Sequence, residues 1–485
     1  MADDADRYHA GRDSWFTEGT KRRAGRERPA RSVHEPARET PVHDETDVLV
    51  VGGGPAGCAA AVAARRLGAE VTLVERHNHL GGLSTGGLVI WIDRMTDWEG
   101  HEVITGFGSE LLDRLPADAL AGAPPEQWGS TEPDLVAHWG ERLSAFRNTV
   151  TRSPMIDPEW LKLVSADLLD EEGVRLLLHS WVVGALVEDG AVRGVLFESK
   201  QGRRAILAKV VVDASGDLDV CAYAGAQYQS DVEGADSSVS NVQHCLNTAF
   251  MWAGVDFGRW LEFKRGDPKA HRALMQRGRE ELGYLERPYV GWRDDTALFL
   301  GPRLTGYSGI DVDDLTSVEL ESRRRMVAHL EFFRAHAPGF ERAWVMQSAP
   351  QIGVRHTRRL VGTHPLVAAE WKDGVRHADE IGVSPSPSQK FANISVPYGA
   401  ILPVELDGVL VGGRHIACDP ATQAFMREIP QCWMTGQAAG AAAAIAAGTG
   451  TRPRAIDVAE LQRELRAQGA HLQSGLATAA RSYPS

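Results

Sequence analysis

Residues 47–57, DVLVVGGGPAG, constrain the fold more than any other stretch of this 485-residue chain. A short apolar strand ends at Val51 and runs into a glycine turn in which Gly52, Gly54 and Gly57 satisfy G-x-G-x-x-G. An Ala-rich segment, about 57–67, reads as a helix, and 70-EVTLVE-75 as a second strand. Each glycine has its own reason to be there. The first permits the tight turn, the second lets backbone approach a pyrophosphate, and the third lets the helix lie close on the strand. The helix start at Pro55 and Ala56 then offers unsatisfied N–H groups and a positive dipole end to the anion. Glu75 ends the second strand, where a carboxylate reaches ribose hydroxyls, and Arg76 follows it. The expectation is a Rossmann-type dinucleotide unit. The fingerprint alone does not separate NAD from FAD.

Later blocks add to this. In 79-HLGGLSTGG-87, the glycines with Gly82, Leu83, Ser84 and Thr85 suit a loop lying along a pyrophosphate and a ribityl chain. Asp157 and Pro158 offer an N-cap and a first helical position for a helix near 157–173. Residues 180–199 alternate like two strands joined at Asp189-Gly190, a hairpin signal. A further strand follows at 205–216, ending in 212-VDASGD-217. The last third returns to strand, turn and helix, with 409-VLVGGRHIA-417 and 435-TGQAAGAAAA-444, and a final amphipathic helix at about 457–468.

In these separated blocks, together with 352-IGVRHTRRLVG-362, the chain resembles FAD-dependent oxidoreductases of the glutathione-reductase type. It resembles more closely the broad group sharing that FAD domain with fumarate reductase and succinate dehydrogenase flavoproteins. Ser215 stands where such proteins carry Thr in an Ala-Thr-Gly turn. The resemblance implies FAD, held non-covalently, and places Ala214, Ser215 and Gly216 near it. It sets Gly413 and Arg414 beside the pyrophosphate or ribityl chain. Val183 falls where the backbone meets the adenine, and Gly436-Gln437 would open a helix whose positive end faces the flavin pyrimidine edge. The fold class expected is α/β: a Rossmann-type FAD-binding domain, discontinuous in sequence (46–219 and 396–450), with an inserted α+β substrate lobe at 220–395. Residues 90–150 read as an inserted segment and 451–485 as a C-terminal helix and tail. Residues 1–45 read as a solvated, disordered arm, since nine basic and ten acidic side chains leave almost no apolar periodicity.

Composition then narrows the chemistry. The formal net charge of −13 argues against a nucleic-acid surface. Five scattered Cys without C-x-x-C argue against disulfides, dithiol redox chemistry or a metal site, and no metal is expected. No apolar run is long enough to span a bilayer, and no h-region follows Lys21-Arg22-Arg23, so a cytoplasmic protein without a membrane partner is expected. A homo-oligomer is compatible with the chain. With no second dinucleotide fingerprint, the expected reaction is two-electron oxidation of a small-molecule substrate by hydride transfer to flavin N5, with electrons passed to O2 or a carrier. The alternatives are a monooxygenase or reductase using transiently bound NAD(P)H, and a flavin-containing binding or tRNA-associated protein. Candidate catalytic residues are His415, after the Gly-Gly-Arg turn, and His356, as bases. Arg355 and Arg427 are candidate clamps for a substrate anion.

Overall fold

The computed structural model describes residues 16–18, 31–230 and 245–473. Its main sheet contains β1 (Val42–Val51), β2 (Val71–Val74), β3 (Arg175–Leu177), β4 (Trp181–Glu188), β5 (Ala191–Ser199), β6 (Gly202–Asp213) and β7 (Val409–Val411). The order is β3-β2-β1-β6-β5-β4, and β7 also pairs with β6. Val210–Asp213 of β6 run parallel to Val48–Val51, and Val211–Asp213 run parallel to β7 on the other edge. The first half of β6 turns that second edge to β5, antiparallel. Three parallel strands therefore end side by side at Val51, Asp213 and Val411. Ligands of open α/β sheets bind beyond such carboxyl ends.

The helices follow from composition and caps. Helix α1 (Pro55–Arg66) is buried from Ala56 to Ala64, and its run of Ala lets it lie between sheet and neighbour with little side-chain volume. Helix α2 (Pro158–Glu171) starts as expected: the Asp157 side chain accepts from the Glu159 N–H, with Pro158 in the first turn. The β4–β5 hairpin turns at Asp189 and Gly190, with φ of 49° and 75°, the left-handed pair a type I′ turn requires. Helices α3 (Pro420–Met426), α4 (Ile429–Thr449) and α5 (Val458–Ala467) complete this layer. No helix among the described residues is long and apolar enough to cross a membrane.

Two expectations are corrected here. The first strand begins at Val42, inside the stretch read as a solvated arm. Residues 43–44 look polar, but Asp44 accepts from Thr72 Oγ1 and pairs with Arg175, each at 2.7 Å, and the His43 ring meets Phe197 edge-on at 5.7 Å. Those partners come from other strands. Phe16–Glu18 also forms a strand, parallel to Arg303–Thr305. The cluster at 21–23 and the tail at 474–485 lie outside the described residues. The second correction concerns the late helix. It begins at Ile429, seven residues before Gly436, with Pro430 in its first turn.

A second core lies on the strands Tyr289–Val290, Thr296–Phe299, Phe250–Ala253 and Trp344–Ser348, which pair in that order. It is built from aromatic rings, with Trp252 against Phe299 at 4.2 Å and Phe333 against Phe340 at 5.0 Å. The long helix Val312–His336 contributes His329 to it. His329 Nε2 accepts from the Glu286 N–H (3.1 Å), which leaves Nδ1 as the donor to the Arg325 carbonyl (2.7 Å). This tautomer is neutral. Burial drives its pKa down to about 4, with the Arg325 carbonyl and Glu286 opposing the shift.

An unfolded histidine titrates near 6.5, so the unfolded chain binds more protons between pH 6.5 and 4. The stability due to neutral His329 is thus complete above pH 6.5 and is lost as pH falls toward 4, by up to about 3 kcal/mol. In His329→Gln this share of the pH dependence is absent. The melting-temperature gap between wild type and variant should narrow from pH 7 to pH 4.

Candidate functional site

Beyond the carboxyl ends of β1, β6 and β7 lies a trough made of two adjoining clefts that share Gly52, Glu75, Arg76 and Ser215. The glycine turn builds its centre. Gly52 has φ +100° and sits against Ala214, so no side chain fits. A Cβ on Gly57 would collide with the Gly52 carbonyl, which makes Gly57 the close-packing contact between helix and turn. Gly54 differs: a Cβ there would meet nothing nearer than Gly82 Cα at 4.0 Å. Gly54 also caps α1 with no side-chain acceptor, and no acidic residue occupies the first turn of the helix. Pro55 and Ala56 line the trough beside it. An uncapped helix start next to open space, ringed by Arg76, Arg414 and Arg427, fits the pyrophosphate of a dinucleotide.

Glu75 is buried at the junction of the two clefts. One carboxylate oxygen accepts from the Gly53 N–H (2.6 Å) and the other from the His77 N–H (2.7 Å). It therefore pins the glycine turn at the point where the two clefts meet. Arg76 lies over the Trp181 ring at 5.2 Å. Ser180, Trp181 and Val182 line the smaller cleft, and Val183 is not among its lining residues. Period-two alternation along β4 puts the two valines on opposite faces, with Val182 toward the cleft.

Asp213 and Asp217 organise the floor. Asp213 accepts from Ser215 N (3.1 Å), Ser215 Oγ (2.6 Å) and Cys221 N (3.0 Å), fixing the Ala214-Ser215-Gly216 turn in the trough wall. Burial alone would raise its pKa, but hydrogen bonds from His415, Ser215 and Cys221 hold it below the ordinary carboxylate value. Asp217 opposes burial in the same way through Arg414 and Arg76. It accepts from Arg414 and from Thr357 Oγ1, both at 2.7 Å. Gly413 (φ +105°) lines the trough and takes its place against Ala56.

Other candidates fall elsewhere. His415 turns under the sheet end, with Nε2 at 3.1 Å from the Asp213 carbonyl, and it is not in the trough wall. His356 is likewise buried away from the wall. Gly436 and Gln437 lie inside α4: Gly436 packs on Ala56, and Gln437 Oε1 accepts from Phe107 N at 3.2 Å. The end of α4 that reaches the trough is Ile429 with Cys432. Ser84 and Thr85 spend their hydroxyls on the carbonyls of Gly81 and Leu80, each at 2.6 Å, and only Gly82 and Leu83 of that loop reach the wall. Arg427 lines the trough and pairs with Glu428 at 3.1 Å. Arg355 is tied to the wall through its carbonyl, which accepts from Gln423 Nε2 (3.2 Å); the same amide contacts the Arg414 carbonyl (3.5 Å).

Gln351 was not anticipated. It lines the trough, donates its N–H to the Gly86 carbonyl at 3.0 Å, and keeps a buried Oε1 without a hydrogen-bond partner. His79 also packs against Gly86, outside the trough wall, and its buried Nε2 has no hydrogen-bond partner among the described residues. Single-sequence spacing holds no signal for a meeting of residues 79 and 351.

The glycines separate fold from binding. Gly54→Val should leave the melting temperature within a few degrees of wild type yet abolish co-purification of the dinucleotide. Gly57→Ala should yield little folded protein. Glu75→Ala should lose both ligand and stability, because it frees two backbone N–H groups at a cost of about 1–3 kcal/mol each. Ligand content by absorbance and melting by calorimetry check all three.

A family model described as FAD dependent oxidoreductase matches residues 47–465. Digeranylgeranylglycerophospholipid reductase 2 of Methanopyrus kandleri is 26% identical over 255 residues, 49% of this chain and 56% of that protein. The tRNA uridine 5-carboxymethylaminomethyl modification enzyme of Geobacter sulfurreducens is 29% identical over 181 residues, 35% and 24% of the two chains. The chain thus spans about half or less of the length of these curated relatives. Among solved structures, a geranylgeranyl bacteriochlorophyll reductase-like protein from Thermoplasma acidophilum aligns with TM-score 0.41 and 15% identity, covering 87% of this chain and 83% of that one. With the family model spanning most of its length and the trough built for a dinucleotide, this chain belongs to the FAD-dependent oxidoreductase family, and its cofactor is FAD.

Proposed function

We propose that the protein oxidises a small organic substrate by two electrons, with hydride passing to non-covalently held FAD and the electrons leaving to oxygen or a carrier. Bound FAD supplies the hydride acceptor, N5 of its ring. The observation that carries the reading is a pair of buried acceptors packed against Gly86, Gln351 Oε1 from the trough wall and His79 Nε2 from outside it, neither with a hydrogen-bond partner among the described residues. A buried polar atom without a partner costs about 1–3 kcal/mol, so both positions favour a ligand that donates hydrogen bonds. An O–H or N–H beside the C–H that yields hydride meets that need. His79 Nδ1 lies 2.8 Å from Asn78 Oδ1, which assigns its proton to Nδ1 and leaves Nε2 as a base. Burial, then His77 and Lys162, hold the His79 pKa below its ordinary value, so the ring is neutral at pH 7. In this reading Nε2 takes the O–H or N–H proton while the adjacent carbon gives up hydride.

Arg355 and Arg427 supply charge for a carboxylate on the same substrate. Burial brings the Arg355 pKa down to about 10; Arg427 and Arg303 push the same way, and Cys245 and Glu428 oppose. An anion would relieve that crowding of cations. Thiol chemistry has no support: none of the five cysteines forms a disulfide, all are buried, and burial lifts Cys432, in the trough wall, to about 12.

Reduction of a substrate at the expense of NAD(P)H is the second reading, favoured by the relative named as a reductase. Anaerobic mixing separates them. Hydroxy or amino carboxylates should bleach the flavin, and NADPH should not; rapid bleaching by NADPH would overturn the oxidation reading. Acid precipitation should release all flavin into the supernatant, since the FAD is non-covalent. His79→Gln should lower kcat by about 10²–10⁴-fold and remove an acid-side decline in kcat/KM that wild type shows below pH 6.5.

A further inference from the structure

We propose a divalent transition-metal site, of zinc-type chemistry, formed by His364, His377 and Asp379, with Glu370 facing the same space. One ligand atom from each of the first three lies within 4.8 Å of the others. The two imidazoles stand edge to face at 89°, with centroids 4.9 Å apart. Glu370 addresses both rings at once: Oε1 is 3.3 Å from His364 Nε2, and Oε2 is 3.8 Å from His377 Nε2. That Oε2 is buried and accepts no hydrogen bond among the described residues. None of the four residues lines the FAD trough.

The donors are held by separate anchors. The His364 N–H donates to the Gly399 carbonyl at 3.2 Å, and the His377 N–H to Ser395 Oγ at 3.1 Å. The Asp379 carbonyl accepts from Tyr398 N at 2.9 Å. Glu370 sits on the short helix Ala368–Lys372, fixed to α3 by Trp371 Nε1 on Thr422 Oγ1 (2.9 Å) and by Ala368 N on Asp419 Oδ2 (2.7 Å). An ion here would therefore cross-link three segments that already converge. His377 and Asp379 are buried, whereas His364 and Glu370 are partly open, which gives the ion a way in.

The donor chemistry selects the ion. Two imidazoles with one or two carboxylates suit zinc and its neighbours, whereas calcium and magnesium prefer all-oxygen shells. Zinc–nitrogen bonds near 2.0–2.1 Å in a tetrahedron put donor atoms about 3.3 Å apart, so modest side-chain rotation closes the site. The spacing His364-x12-His377-x-Asp379 matches no compact ligand motif, and hence no metal was expected from sequence. The other such group, Asp97, Glu99 and His101, is largely exposed and is not assigned.

The test uses the full-length, FAD-loaded protein, stripped with a chelator and titrated with Zn2+ against a chromophoric competitor. Wild type should bind one tight equivalent and gain melting temperature. His364→Gln, at the partly open edge, and His377→Ala should each weaken that equivalent by about 100-fold or more with FAD content unchanged. Cobalt loading should give visible absorption of a four-coordinate N/O site that disappears in His364→Gln. Failure of wild type to retain zinc, or equal zinc retention by wild type and His364→Gln, would overturn the proposal. Because FAD content is read separately, neither outcome depends on the reaction assigned to the trough.

Discussion

Two helices, α1 and α4, meet in this molecule backbone to backbone. A Cβ on Gly436 would strike the Ala56 carbonyl, and one on Gly440 would strike that of Ala60. On the other side of α1, Gly57 rests on the Gly52 carbonyl. Helix α1 is thus clamped between a turn and a helix by contacts that admit no side chain, and close packing of this kind tolerates no added methyl. The consequence is positional. With α1 and α4 locked in register, the starts of both helices, at Gly54 and at Ile429, open on the same trough. Two positive dipole ends then face one ligand, and neither is capped by a side chain.

Such a site needs acids behind it, because Arg76, Arg414 and Arg427 are gathered at its wall together with those dipoles. Asp213 and Asp217 serve this purpose from below. Their carboxylates are buried yet stay charged, since donors surround them: Ser215, Cys221 and His415 for one, Arg414 and Thr357 for the other. The same bonds aim Arg414 and shape the Ala-Ser-Gly turn. His415 therefore contributes as a buried support for Asp213, a role its position next to Arg414 in the chain did not suggest.

The legible part of the fold was its local grammar. Glycine spacing, the Ala-rich run, the Asp189-Gly190 turn and the Asp157 cap each act within a few residues, so the sequence displays them directly. Errors arose where a local sign had two meanings. Gly436 fits a helix start and also a close helix crossing; the Pro at 430, a first-turn residue, was the better marker of where α4 begins. Asp44 looked solvated because its partners, Thr72 and Arg175, lie on other strands. The meeting of His79 with Gln351, and of His364 with His377 and Glu370, depends on chain paths that no spacing rule encodes.

Those paths also explain how the aromatic second core bears on the trough. The strand Trp344–Ser348 ends that sheet, and the chain leaving it runs directly along the FAD layer. Gln351 bonds to Gly86, Thr357 to Asp217, and Arg358 to the Asp217 carbonyl and the Asp219 carboxylate, both at 2.9 Å. From Gln351 to Arg358 this segment supplies a buried acceptor with no partner among the described residues, a cation at Arg355 and three bonds to Asp217 and Asp219. This one segment links the aromatic core to the trough, and the ring packing around Trp252 and Phe333 lies at its near end.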